Sequence, residues 1–255
     1  MIAGELMNGE MVDTNNPAEV EKLRKEKKEK QDKRVQELSQ KLINKINNGH
    51  VNNVEPFFNN PALLREKEKE SLDNFRIAIT VEAEDLKHES YGIELLHSIG
   101  YIYKLKANQA LYQYKVDNGA IHKKIFGYTN KFTSKMKEKG HVISETVNTV
   151  KSAYDLQFSF EKMQMQDKMN ESNANLTEEE KRKIKDQMEQ EAAIKGMNMI
   201  WKSSKLEIES TLIEVCDKVF SEPNIQPLAM KARAKAVLTI GEVFEKTELP
   251  KPTTD

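Results

Sequence analysis

Cysteine is almost absent from this 255-residue chain. The single Cys216 excludes an intrachain disulfide and fits a reducing compartment. Glycine and proline are scarce, at ten and seven residues, and strand-like alternation is rare, which argues against a sheet protein built on tight turns. No apolar run has the length of a membrane span, and no signal-peptide core appears. The net charge is only −1, so no global field draws the chain to nucleic acid, and nucleic acid is not an expected partner. Glycine-rich phosphate loops, the Gly-x-Ser-x-Gly elbow and His-Glu-x-x-His are all missing. The chain is therefore expected to be a cytoplasmic non-enzyme with no cofactor, able to lie peripherally on an organelle or plasma membrane.

What is present is charge. Charged residues make up 32% and hydrophobic residues 38%, against ~25% charged in an average globular protein. Long helices with wide solvated faces satisfy that balance, so the expected fold class is all-α, an elongated bundle of long helices. Residues 1–16 are expected to be a disordered N-terminal segment, 17–248 a helical domain and 249–255 a disordered tail. Pro17 after Asn16 marks a helix start. The resulting charged helix, 17–46, holds ten Lys or Arg and six Asp or Glu between Glu19 and Lys45. It gains a stripe at Val35, Leu38, Leu42 and Ile46, so its second half docks. Asn47 to Pro61 is expected to be a loop, and a helix is expected from about Ala62 through to about Tyr114. Further helices are expected over 142–169, from Thr177 to Phe220 and from 228 to 246. Thr177 and Glu180 have capping-box spacing.

Two of these helices are apolar on two sides. Ile143, Val147, Val150, Tyr154, Phe158, Met165 and Met169 share one face; Ala153, Leu156, Phe160 and Met163 share the other. Likewise Ala193, Met197, Ile200, Ser204, Ile208, Val215 and Val219 lie opposite Met188, Met199, Leu206, Ile213 and Phe220. Such helices sit at the centre of a bundle or present one side to a partner. The second case makes Leu156, Phe160 and Met163 a candidate client-binding face, and a homodimer is the alternative use.

The stretch "EAEDLKHESYGIELLHSIGYIY", Glu82 to Tyr103, has the look of a metal site. Glu84 and His88 are four apart, and Glu94 and His97 form Glu-x-x-His, repeated at Glu138 and His141. Gly140 and three lysines spoil the repeat, and His97 shares a stripe with Ile93 and Leu96. His97 is expected to be structural, with no metal bound. Cys216 is expected to behave as a small hydrophobe, and Trp201 to be largely buried.

The same stretch resembles the core helix of the X-domain that lies carboxy-terminal to the J-domain in a class of fungal and plant J-proteins, the Hsp70 co-chaperones. "VKSAYDLQ" from Val150, "WKSSKLEIESTLIEVCDKVFSE" from Trp201 and "RAKAVLTIGEVF" from Arg233 are similar to later helices of that domain, and "GEL" at Gly4 to the segment before it. The resemblance implies a module that holds non-native client proteins, dimerises or directs a J-domain to its location. It also implies that Hsp70 is met only through a J-domain. None of the five histidines precedes a proline, so the His-Pro-Asp signature is missing; the chain is expected to be either a fragment of a longer J-protein or a stand-alone relative, and "MIAGEL", which resembles the place where a J-domain and linker end, favours the fragment. Finally, the basic loop 119–140 carries six lysines and one glutamate among aromatic residues. Lys123, Lys124, Phe126, Lys131, Phe132 and Lys135 are its candidate contacts to an anionic membrane surface or acidic partner.

Overall fold

A computed structural model describes residues 17–119 and 177–249, and between them 151–152, 155–158, 160–161, 164–165 and 168. Most of the described residues are helical, with no strand among them. They fall into two compact units, one of residues 17–119 with 208–249, the other of residues between 151 and 207. The segments 1–16 and 250–255 and the basic loop beyond Gly119 lie outside the described residues.

The larger unit starts with α1, Pro17–Ile46. Its first turns are solvated, while Val35, Leu42 and Ile46 are buried, in keeping with their spacing. The expected loop at 47–61 is a correction to make: the chain continues as a π turn over Asn47–Val51, a short α2 at Asn52–Val54 and a 3-10 turn at Glu55–Phe57. Burial holds this asparagine-rich stretch in shape. Val51, Val54 and His50 are interior, and a Cβ on Gly49 would meet the Phe75 ring at 2.4 Å. His50 Nδ1 lies 3.0 Å from Ser71 Oγ, and its Nε2 has no hydrogen-bond partner among the described residues. Burial pushes the His50 pKa down to about 4; the nearby Glu68 carboxylate opposes this and the Lys235 ammonium adds to it.

Helix α3, Pro61–Leu86, begins with Asn60 as N-cap, its side chain accepting from the Leu63 N–H at 3.2 Å. Phe75, Ile79 and Ala83 face the core. The helix expected to run on to Tyr114 is instead two helices, a second correction. The chain breaks after Leu86, Tyr91 takes a left-handed conformation with φ 58°, and α4 spans Gly92–Asp117. Gly92 is required at this turn, because a Cβ there would lie 2.2 Å from the Leu86 carbonyl oxygen. Helix α5 is Glu178–Phe220 and α6 is Pro227–Lys246. At the head of α5, Thr177 Oγ1 accepts from the Glu180 N–H at 3.3 Å while Glu180 accepts from the Thr177 N–H at 2.9 Å, the reciprocal bonds of a capping box.

Helix α4 crosses α6 at close range. It happens glycine to glycine: a Cβ on Gly100 would lie 2.7 Å from the Glu245 nitrogen, and one on Gly241 would lie 2.8 Å from the Lys104 nitrogen. Leu96 and Ala107 of α4 meet Val237, Ile240 and Phe244 of α6 in a core that also takes Val215 and Val219 from α5. Lys104–Glu245, Arg76–Glu242 (2.9 Å) and the more covered Lys235–Glu68 (2.6 Å) pair around the rim; the first two are part-exposed and contribute at most ~1 kcal/mol each.

Candidate functional site

The apolar stripe of α5 has two fates. At its carboxy-terminal end Thr211, Val215 and Val219 are buried at 2%, 1% and 0% exposure. Toward the amino terminus Ile208 and Ser204 are half-buried, and Ile200 and Met197 are exposed at 45% and 61%. These residues recur every three or four positions, so they share one side of the helix. The side that serves as core wall at one end emerges into solvent at the other, and Ile194, 60% exposed, widens it there.

The opposite side of the same turns is the covered one. Ala192 is buried, and Met188, Met199 and Leu206 are half-buried. Lys202 Nζ donates to Ser152 Oγ at 2.6 Å, which fixes the 151–168 stretch to α5 within the smaller unit. Only Ser152 is buried among the described residues of that stretch. Phe158 and Met165, seven residues apart on one side, are 68% and 70% exposed, and Phe160 on the other side is 45% exposed.

The smaller unit thus exposes six large apolar side chains from two helical stretches. Of the three client-binding candidates, Phe160 is exposed, Leu156 is half-buried and Met163 lies outside the described residues. Ile194 was missed by sequence reasoning. Phe158, Met165, Met197 and Ile200 were grouped on the correct sides, but periodicity does not tell a core side from a free one. Trp201, expected to be largely buried, is half-buried. The contact candidates Lys123, Lys124, Phe126, Lys131, Phe132 and Lys135 lie outside the described residues, as do Glu138 and His141.

The metal-like stretch has other work. His97 Nε2 donates to the Thr247 carbonyl at 2.8 Å, tying α4 to the end of α6. Glu84 pairs with Lys87, and His88 falls in the turn beyond Leu86, so the four-residue spacing does not lie on one helix. Among the described residues, no group of three or more His, Cys, Asp or Glu is arranged to hold a metal. Cys216 is buried with 0% exposure. A groove of about 580 Å³ in the larger unit is lined by Tyr112, Tyr114, Phe220, Ile225 and Met230, with Lys106 and Asp217 ion-paired beside them; no candidate residue reaches it.

The X-domain of DnaJ-containing proteins matches residues 31–254. DnaJ-like protein 1 of Saccharomyces cerevisiae is 33% identical over 182 residues, which is 69% of this chain and 40% of that protein. Protein CAJ1 of the same yeast is 32% identical over 176 residues, 68% of this chain and 40% of that protein. An uncharacterised J domain-containing protein of Schizosaccharomyces pombe, C4H3.01, is 31% identical over 180 residues, 71% of this chain and 41% of that protein. The chain spans about two fifths of the length of these relatives. No solved structure matches it. With the domain match running from the middle of α1 past the end of α6, the chain belongs to the X-domain family of DnaJ-containing proteins.

Proposed function

We propose that this X-domain is a non-enzymatic module of an Hsp70 co-chaperone that holds apolar segments of non-native proteins. The observation that carries this reading is the α5 stripe, buried at Val215 and Val219 and exposed at Met197 and Ile200. A helix that only needed to join the core would turn polar where it leaves it. Exposed apolar patches mark sites where a partner is met. Methionine adapts to varied apolar shapes, so Met165 and Met197 suit clients with no common sequence. The names of the relatives, DnaJ-like and J domain-containing, support the co-chaperone setting. Hsp70 contact is assigned to a J-domain outside these residues, since His-Pro-Asp does not occur in them.

Suppression of aggregation of a chemically unfolded protein, followed by light scattering, tests the reading. Phe160→Asp combined with Met197→Asp should abolish suppression while far-UV circular dichroism stays unchanged. Equal suppression by wild type and the double variant sinks the reading, as does no suppression by wild type. A concentration-dependent dimer that persists when client is added, and is lost in the double variant, reassigns the surface to self-association.

A further inference from the structure

We propose that Met165 and Met197 are sites of reversible oxidation to the sulfoxide, and that this modification switches the apolar surface off. The inference rests on the client-holding reading for its consequence, and on exposure alone for its sites. Met165 is 70% and Met197 61% exposed, whereas Met188, Met199 and Met230 are half-buried. Among the described methionines, a peroxide therefore reaches the first two thioethers most readily. The thiol that would ordinarily compete for oxidant, Cys216, has 0% exposure in the core.

The chemistry balances with hydrogen peroxide as oxidant. The sulfur lone pair attacks a peroxide oxygen, the O–O bond breaks, and a sulfur–oxygen bond forms. The departing hydroxide takes the proton from the transferred oxygen and leaves as water, a two-electron oxidation of sulfur. A dithiol-dependent methionine sulfoxide reductase reverses it, the two thiols becoming a disulfide as the oxygen leaves as water.

Position decides the consequence. Met197 lies one turn from both Ile194 and Ile200, and Met165 shares a side with Phe158. A sulfoxide puts a strong dipole there, and an apolar client offers it no donor, so docking would strand an unpaired acceptor. Both side chains point away from the packed side of their helices, so the fold does not depend on them. Oxidation at these two positions should remove binding and leave the helix content alone.

The test treats the intact chain with graded hydrogen peroxide and reads three quantities: the peptide mass map, binding of an unfolded client, and far-UV circular dichroism. Met165 and Met197 should gain one oxygen each before Met188, Met199 and Met230. Client binding should weaken about tenfold or more, the lower range for stranding a buried dipole, with unchanged helicity. Sulfoxide reductase with dithiol should restore it. Met165→Leu combined with Met197→Leu removes both thioethers, so the client binding that this variant shows before peroxide should be the same after it. The proposal is overturned if the half-buried methionines oxidise first, or if the double leucine variant loses binding as wild type does. If unoxidised wild type binds no client, the functional reading fails, and the mass map still decides the sites.

Discussion

One crossing should respond to a single methyl group, and a second glycine supplies the control. Alanine at Gly100 puts its Cβ 2.7 Å from the Glu245 nitrogen and 2.9 Å from the Gly241 oxygen. The nearer contact is about 0.7 Å short of ordinary van der Waals distance, and both partners are backbone, so no rotamer change relieves it. Helix α6 must move off α4, loosening Leu96 against Ile240 and Phe244. Overpacking of this kind costs ~1–3 kcal/mol, while alanine returns ~1 kcal/mol of helix propensity. Both contacts are backbone, so the overpacking cost falls at the upper end of that range, and Gly100→Ala should destabilise by roughly 2 kcal/mol net. Gly196 in α5 has nothing within 4 Å of a built Cβ, so Gly196→Ala receives the propensity alone and should stabilise by ~0.5–1 kcal/mol. Urea unfolding followed by far-UV circular dichroism measures the first. Fluorescence of Trp201, five residues from Gly196, reports the second. Gly100→Ala as stable as wild type would refute the glycine-to-glycine crossing, whatever Gly196→Ala does.

The remaining predictions concern protons, one hydrogen bond and one charge patch. His50 has a folded pKa lowered to about 4 from 6.5; the folded state favours neutral imidazole, so its contribution is complete above pH 6.5 and lost as pH falls toward 4. The loss should approach ~3 kcal/mol, and His50→Gln should flatten the stability profile of pH 4.5–6.5 relative to wild type; parallel profiles would show that His50 does not titrate with folding. His97→Gln keeps a donor for the Thr247 carbonyl and should unfold within ~1 kcal/mol of wild type, whereas His97→Ala should lose ~1–3 kcal/mol; equal losses in the two variants contradict a role as donor. Lys123→Glu with Lys124→Glu should weaken co-sedimentation with anionic vesicles at low salt, and identical binding in low and high salt removes the electrostatic reading of the basic loop.

Much of this protein is local, and local features can be read directly. Thr177 and Glu180 reach each other across one turn, so their capping box shows in the spelling and recurs in the bonds. Val35, Leu42 and Ile46 share a helix side by arithmetic alone, and they are the residues of α1 that the core takes. The family resemblance was carried by the same ordered helices that match the X-domain.

What faces each side of a helix was decided only by tertiary structure. The α5 stripe has one spelling from Ala193 to Val219, yet it is core at one end and surface at the other, because periodicity defines which residues share a side and not what lies opposite. The break between α3 and α4 depends on Gly92 lying against the Leu86 carbonyl, a contact inside a turn that no apolar spacing signals. Asn47 to Phe57 has loop composition, but burial of His50, Val51 and Val54 and the Phe75 ring over Gly49 keep it helical. His97 finds its acceptor 150 residues away. Sequence fixes contacts that close within one or two turns of chain; burial and partnership across the core depend on where distant helices come to rest, and that is settled by the packing of the whole unit.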